Sequence, residues 1–313
     1  MTSIFENTHS KVVVHILHDD TLTDENRQRF IRTAEKYSQV VDFIDVAEKK
    51  SILQGKGVNY ATRTWPIGAL YRLLIPDMLP TLSRVIYLDC DVLVNMDIKE
   101  LWGLDNGNKS ILGAIDLPDT KYNNSIYFEK MRIILNGSHP KTYINSGVLL
   151  MNLSRMREHG NLFALVNDWL AERGYMALAP DQDAINAIFH DDMQIIDSRF
   201  NQNVLIPDVS GCIIHMLHSK PWKKICGIQQ DRIYWKMYLH SAWGENISPH
   251  EFVDIIFDII ISQPPLASYS YSVKHVMIGF WHMVKNRIIP KQSIKYIFMN
   301  MYYRLKHKLL PSR

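Results

Sequence analysis

Two periods of apolar residues alternate along this chain. Residues 11–18 (KVVVHILH) are rich in β-branched residues, which predicts a buried strand. Residues 24–38 set Phe30, Ile31, Ala34 and Tyr37 on one side, the spacing of an amphipathic helix. Residues 42–46 read as a second short strand, and strand–helix–strand at this separation favours a parallel sheet. Residues 65–79 read as helical in their second half, with Pro80 as the stop. A helical turn is predicted at 98–102, strands at 110–117 and 143–152, and one helix over 154–174 whose core face is Met156, Phe163, Val166, Trp169 and Leu170. A helix over 181–189 preceded by Pro180, an apolar strand over 212–217 and a helix over 250–262 follow. Residues 118–143 break the pattern with Pro118, Asp119, Asn123, Asn124, Asn136, Gly137 and Pro140, the texture of a functional loop or lid. The last pattern, residues 294–309, repeats Ile294, Phe298, Met301, Tyr302, Leu305 and Leu309 at helical spacing. The whole predicts an α/β body followed by a helical extension.

Composition refines this. The chain has 313 residues, 47% hydrophobic and 21% charged, which is enough for one large α/β domain or two ordinary ones. Cys90, Cys212 and Cys226 are odd in number and without framework spacing, which points to a reducing compartment. The N-terminus has no basic region followed by an apolar run, and no apolar stretch is long enough to span a bilayer, so a cytoplasmic protein is expected. The net charge of +3 hides an asymmetry, because residues 271–313 carry nine Lys or Arg and no acid. Lys291, Lys295, Arg304, Lys306 and Lys308 flank the apolar stripe of the final helix, as in a helix lying on an anionic membrane surface rather than on nucleic acid. The expected division is a body over 1–245 and a basic, helical, membrane-associating segment over 246–313.

Chemistry enters at the ends of apolar runs. In residues 85–94 (VIYLDCDVLV) Asp89 and Asp91 stand at i and i+2, and in an extended segment they point the same way. Two like charges so close are most easily kept ionised by a cation between them, so the pair predicts a divalent-metal site, against the alternative of a solvated strand-end turn. In Pro180-Asp181-Gln182-Asp183 the acids suit a helix start, which explains Asp183 as a cap but leaves Gln182 unexplained. His215, followed by His218, Lys220 and Trp222, offers an imidazole ligand and a cation for phosphate; the plainer alternative is a structural histidine. With the two carboxylates it makes a mixed O/N ligand set for Mn²⁺ or Mg²⁺. Dinucleotide-binding, Walker, metallopeptidase and serine-hydrolase motifs are absent from the sequence.

Six motifs in order carry a resemblance: Tyr71-Arg72-Leu73, Tyr87-Leu88-Asp89-Cys90-Asp91, Tyr143-Ile144-Asn145-Ser146-Gly147-Val148-Leu149-Leu150, Pro180-Asp181-Gln182-Asp183, Ser198-Arg199-Phe200-Asn201 and residues 215–222. Together they resemble the family 8 glycosyltransferases, and within them the bacterial lipopolysaccharide core galactosyl- and glucosyltransferases. The resemblance implies a GT-A type nucleotide-sugar-binding fold with a mixed, mainly parallel central sheet. It implies metal-dependent transfer of a hexose from a UDP-sugar to a glycolipid or oligosaccharide acceptor, with retention of configuration, at the inner face of the cell membrane. Asp89, Asp91 and His215 match the metal ligands; Asp89 and Cys90 match the nucleotide-contacting strand end. Arg72 and Lys220 match cations near sugar and diphosphate, and Asn145, Ser146, Asp181 and Gln182 match the donor-sugar pocket. For retention, a front-face route is favoured over a covalent one through Asp181 or Gln182, since an amide is a poor nucleophile. Two departures stand out. His218 occupies a position where the family has glycine close to the diphosphate. The family's first strand and its Asp-x-x-Tyr loop are also expected to be missing ahead of Thr2. The rival reading is therefore a truncated, catalytically impaired relative that binds sugar or membrane; a metal-dependent phosphohydrolase is a distant third.

Overall fold

The computed structural model describes residues 1–262 except 50–53, 64, 117–130, 132, 136–141, 178, 204–205, 207, 218–219 and 225–227. Most of the expected lid at 118–143, His218 and Cys226, and the whole basic helix at 294–309 lie outside the described residues. Packing divides the chain into two compact units, one holding nearly everything up to His215 and one taking up the chain from Met216.

The first unit opens with helix α1 (Thr2–Asn7), strand β1 (Val13–His18), helix α2 (Asp24–Lys36) and strand β2 (Val40–Asp45). Strands β1 and β2 pair in parallel from Val13 opposite Val40 to His18 opposite Asp45, as the strand–helix–strand pattern predicts. Thr23 caps α2 by accepting the Asn26 N–H at 3.2 Å, and Asp24 and Glu25 occupy the positive first turn. Helix α3 (Lys56–Ala61), a 3₁₀ segment (Ile67–Leu74) and α4 (Ile75–Met78) lead to β3 (Arg84–Leu88) and β4 (Val92–Asn95). Then come α5 (Lys99–Trp102), β5 (Ile111–Ile115), β6 (Ile144–Asn152), α6 (Leu153–Glu158), α7 (Leu162–Arg173), α8 (Pro180–Ile188), β7 (Met193–Ile196) and β8 (Cys212–His215).

Strands β3, β6, β5 and β7 form one sheet in that order, and β4 pairs with β8. The sheet is mixed, as expected, but β6 runs antiparallel to both of its neighbours and only β5–β7 is parallel within the four strands. The expected dominance of parallel pairing is corrected to this extent. The physical reason is that β6 is buried on both faces, from Ile144 through Met151, and the composition of such a strand reads the same whichever way it points.

Two hydrophobic clusters hold the layers together. One gathers Leu73, Leu74, Ile111, Ile144, Leu149, Val166 and Ile185; the other gathers Phe5, Val94, Leu112, Val148, Leu150 and Ile213. Consecutive β6 residues therefore serve opposite clusters, the period of a strand sandwiched between helices. The helix expected over 154–174 is two helices. Gly160 takes φ +100°, which suits glycine after a helix end, and Asn161 restarts the chain as the cap of α7 by accepting from Ala164 N–H at 2.8 Å.

One polar hub supports this arrangement. Asp192, just ahead of β7, accepts from Ser110 Oγ at 2.5 Å, His159 Nε2 at 2.7 Å and Arg155 Nε at 3.1 Å. It thus ties the start of β5 to α6. Burial alone would raise the carboxyl pKa, but the Ser110, His159 and Arg155 hydrogen bonds outweigh it and hold the group below the usual carboxylate range. A depressed folded pKa contributes stability above the unfolded value of about 3.9 and loses it as the pH falls through the folded value. Asp192→Asn is expected to cost about 1.5–3 kcal/mol at neutral pH, the range for hydrogen bonds to a charged group. Urea denaturation checks this: the gap between wild type and variant should narrow below about pH 4, and a gap that stays constant on acidification contradicts it.

The second unit contains α9 (Gln229–His240) and α10 (Pro249–Ser262). Trp235 of α9 lies edge-on to Phe252 of α10 at 5.7 Å, and Tyr234 stacks on Trp222 at 5.2 Å. These contacts draw the chain after residue 215 into the second unit, so the packing boundary falls ahead of position 245. No helix among the described residues is long and apolar enough to cross a membrane.

Candidate active site

The apolar run 85–94 is not one strand. Residues 89–91 form a turn between β3 and β4, which join different partners. The β3–β6 pairing continues one residue past Leu88, with Asp89 N–H donating to Gly147 O at 2.8 Å. The β4–β8 pairing sets Val92 opposite His215. Asp89 is thus delivered beside Gly147, and Asp91 beside His215. The two carboxylates and the imidazole converge so that one ligand atom from each lies within 4.8 Å of the others. His215 Nε2 stands 3.3 Å from Asp91 Oδ1 and 3.7 Å from Asp89 Oδ2. Cys90 is exposed at the tip of the turn.

Two features test whether these residues fit a metal. His215 is 4% exposed, and its Nε2 has no hydrogen-bond partner despite the nearby carboxylates. A buried nitrogen left unpaired is costly unless something else fills its lone pair. The space is also kept clear from below, since a Cβ on Gly147 would come within 2.1 Å of His215 Cε1 and 2.9 Å of Asp89 Oδ2. A neutral imidazole and two carboxylates fit Mn²⁺ or Mg²⁺, with further positions open to phosphate oxygens or water.

Arg72 builds the wall next to this site. It is buried, with Nη2 2.8 Å from Asp89 Oδ1 and Nε 3.1 Å from Asp181 Oδ2. Its Nη1 donates to Ser146 O at 2.7 Å and Ser146 Oγ at 2.9 Å. Burial disfavours the guanidinium charge, but Tyr87, Asp181 and Asp89 outweigh it and raise the pKa, so the group stays charged. Tyr87 OH donates to Asp89 Oδ1 at 2.6 Å. One oxygen of Asp89 is thereby held by Arg72 and Tyr87, while the other faces His215.

Gln182 is equally constrained. Its Oε1 accepts the Ser146 N–H at 3.0 Å, and its Nε2 donates to Asp116 Oδ2 at 3.0 Å and Tyr143 OH at 3.1 Å. Asp116 Oδ1 also receives Asn145 Nδ2 at 3.2 Å and Asn203 Nδ2 at 2.9 Å. Asp183 accepts from Tyr143 OH and, at 3.0 Å, from the N–H of Ala179 at the start of α8, so the capping explanation suits it. Asn186 clamps α8 to β6 by bonding both the N–H and the C=O of Ile144 at 2.8 Å. Arg72, Asp89, Asp91, Asn145, Ser146, Asp181, Gln182 and His215 therefore belong to one contiguous region of the first unit. Lys220 belongs to the second unit, where its Nζ lies 5.7 Å from the centre of the Trp222 ring. Sequence reasoning missed Asp116 and Asn203, and it placed Tyr143 in a motif without giving it a role. Asp116 had a usable signal, because it ends the apolar strand β5 just as Asp89 ends β3.

With two carboxylates and a histidine gathered where β3 passes into β4 and β8 ends, the chain has a GT-A class glycosyltransferase fold. The galactosyltransferase LgtC, solved with donor and acceptor sugar analogues, shares it with a TM-score of 0.62 at 22% identity, over 81% of this chain and 92% of that one. The chain belongs to glycosyl transferase family 8, whose model matches residues 1–226. A Haemophilus influenzae relative is 28% identical over 203 residues, 64% of this chain and 57% of that protein. General stress protein A of Bacillus subtilis is 26% identical over 60% of this chain and 62% of its own length. This chain thus spans only about three-fifths of these relatives. The lipopolysaccharide 1,3-galactosyltransferase of Salmonella typhimurium is 22% identical over 258 residues, 77% of this chain and 73% of that protein.

Proposed function

We propose that the protein is a metal-dependent, retaining hexosyltransferase that moves galactose or glucose from a UDP-sugar to a glycolipid or oligosaccharide acceptor of the lipopolysaccharide core type. The observation that carries this reading is the convergence of Asp89 Oδ2, Asp91 Oδ1 and the unpaired His215 Nε2 beside the wall formed by Arg72, Asp181 and Gln182. A divalent cation held there supplies the positive charge that a departing diphosphate needs. The protein's own groups do the rest. Arg72 pairs with Asp89 and Asp181 and holds both carboxylates in place. The Gln182 amide is held in one orientation by the Ser146 N–H, Asp116 and Tyr143, with its oxygen already accepting a hydrogen bond. An amide so engaged is a poorer nucleophile still, which supports the front-face route, with Asp181 and Gln182 lining the sugar. Resemblance, rather than geometry, assigns Cys90, His218 and Lys220 to nucleotide and diphosphate. The membrane-facing role of residues 290–313 rests on their sequence pattern, at roughly 1 kcal/mol for each basic residue near an anionic surface.

The test is a screen of UDP-hexoses with Mn²⁺, scoring sugar transfer to an oligosaccharide or glycolipid acceptor against simple hydrolysis, with and without EDTA. Transfer that stops on chelation and returns with Mn²⁺ is the expected result. Binding without turnover supports the impaired relative, hydrolysis alone supports a phosphohydrolase, and transfer in excess EDTA refutes the metal requirement.

A further inference from the structure

Asn201 ends a 3₁₀ turn, Ser198–Asn201, is 1% exposed, and has no part in the reaction as proposed above. Its orientation follows from one unambiguous donor, the backbone N–H of Gly147. That N–H donates to Asn145 Oδ1 at 2.9 Å, which turns the Asn145 oxygen inward and its Nδ2 toward Asp116. Asn201 also meets Asn145 Oδ1, at 2.9 Å, and only its Nδ2 can donate there. The Asn201 oxygen is thereby left facing His215 Nδ1 at 3.1 Å, where it can only accept. His215 must then carry a proton on Nδ1. A neutral ring so arranged has its lone pair on Nε2, aimed between Asp89 and Asp91.

We propose that Asn201 is a positioning residue which, through hydrogen bonds anchored on the Gly147 N–H, fixes His215 in the Nδ1–H tautomer and keeps its Nε2 free to bind a divalent cation. The inference deepens the metal-dependent reading and rests on it. The competing tautomer has an obvious attraction, because a proton on Nε2 would find Asp91 Oδ1 only 3.3 Å away. That proton would then have to leave before a cation could bind. The same chain of amides runs on from Asn145 to Asp116 and Gln182, so the histidine and the sugar-side groups share one set of orientations.

The test uses the full chain. In metal-free wild type at alkaline pH, where imidazole is neutral, nitrogen-15 NMR of His215, assigned through a His215→Gln variant, should show Nδ1 protonated and Nε2 bare. In Asn201→Ala the tautomer should reverse to Nε2–H, and Mn²⁺ affinity measured by titration should fall about 10–100-fold. Asn201→Asp keeps an acceptor facing Nδ1 but sets a second oxygen against Asn145 Oδ1, so it should retain the wild-type tautomer with only part of the affinity. A wild-type spectrum with Nε2 protonated overturns the proposal without any variant. A folded Asn201→Ala protein with unchanged tautomer and unchanged Mn²⁺ affinity overturns it too. Failure of the wild type to bind Mn²⁺ sinks the metal reading instead, and the tautomer spectrum still decides the role of Asn201.

Discussion

Gly147→Ala is expected to remove Mn²⁺ binding and sugar transfer as completely as Asp91→Asn does, although position 147 offers no ligand. A Cβ there would stand 2.1 Å from His215 Cε1, 2.6 Å from His215 Nδ1 and 2.9 Å from Asp89 Oδ2. None of these atoms has an easy way to move. The imidazole is 2% exposed and pinned by Asn201, while Asp89 is held through its other oxygen by Arg72 and Tyr87. The methyl group must therefore push the ring by about 1 Å or more, and a displacement of that size near the reacting centre costs about 10²-fold in rate. The measurement is kcat/KM for transfer together with a Mn²⁺ titration, with circular dichroism and Tm to show that the variant folds. A folded Gly147→Ala protein that binds Mn²⁺ like wild type would mean that His215 does not stand over Gly147.

This glycine shows where sequence reading succeeds and where it stops. Asp89, Asp91 and His215 were legible because each sits at the end of an apolar run, and the end of a strand is a local signal. Helix α8 was legible for a similar reason, with proline at its first position followed by acids. The splitting of residues 85–94 between two sheets left no trace, because both halves have the period of a strand. The turn at Asp89–Asp91 brings the carboxylates together by a route other than the expected extended segment, with His215 completing the cluster from a strand more than a hundred residues away. The amide network was also out of reach. Asn145 meets Asn201 across 56 positions, and Asn203 meets Asp116 across 87, so no local spacing announces either pair. Asn201 itself stood within a recognisable motif, but its partner atoms, and hence its role, depend on the fold. At Gly160–Asn161 the opposite holds. The glycine and cap residue that divide α6 from α7 were on view, and the continuous apolar spacing across them concealed the break.

Arg72→Met should have the largest effect on stability. Arg72 is 7% exposed and stands between Asp89 and Asp181, with its guanidinium 4.7 Å from the centre of the Tyr87 ring. Methionine preserves much of the volume but leaves both carboxylates without their cation. Breaking a buried ion pair by removing one partner costs about 3–5 kcal/mol, chiefly because the remaining charge stays buried and unpaired. At about 2–4 °C per kcal/mol for a unit of this size, the Tm should fall by roughly 10 °C. Arg72→Lys should recover only part of this, since an ammonium cannot reach both carboxylates and Ser146 as the planar fork does. Asp181→Asn placed in the Arg72→Met background should restore stability, because it removes one of the two stranded charges; this coupling separates charge from packing. Mn²⁺ should also raise the Tm of Arg72→Met by more than that of wild type if the cation and Arg72 compensate the same Asp89 carboxylate from opposite sides. Equal Mn²⁺ shifts in the two proteins, with no gain from Asp181→Asn, would show that Arg72 acts through packing alone.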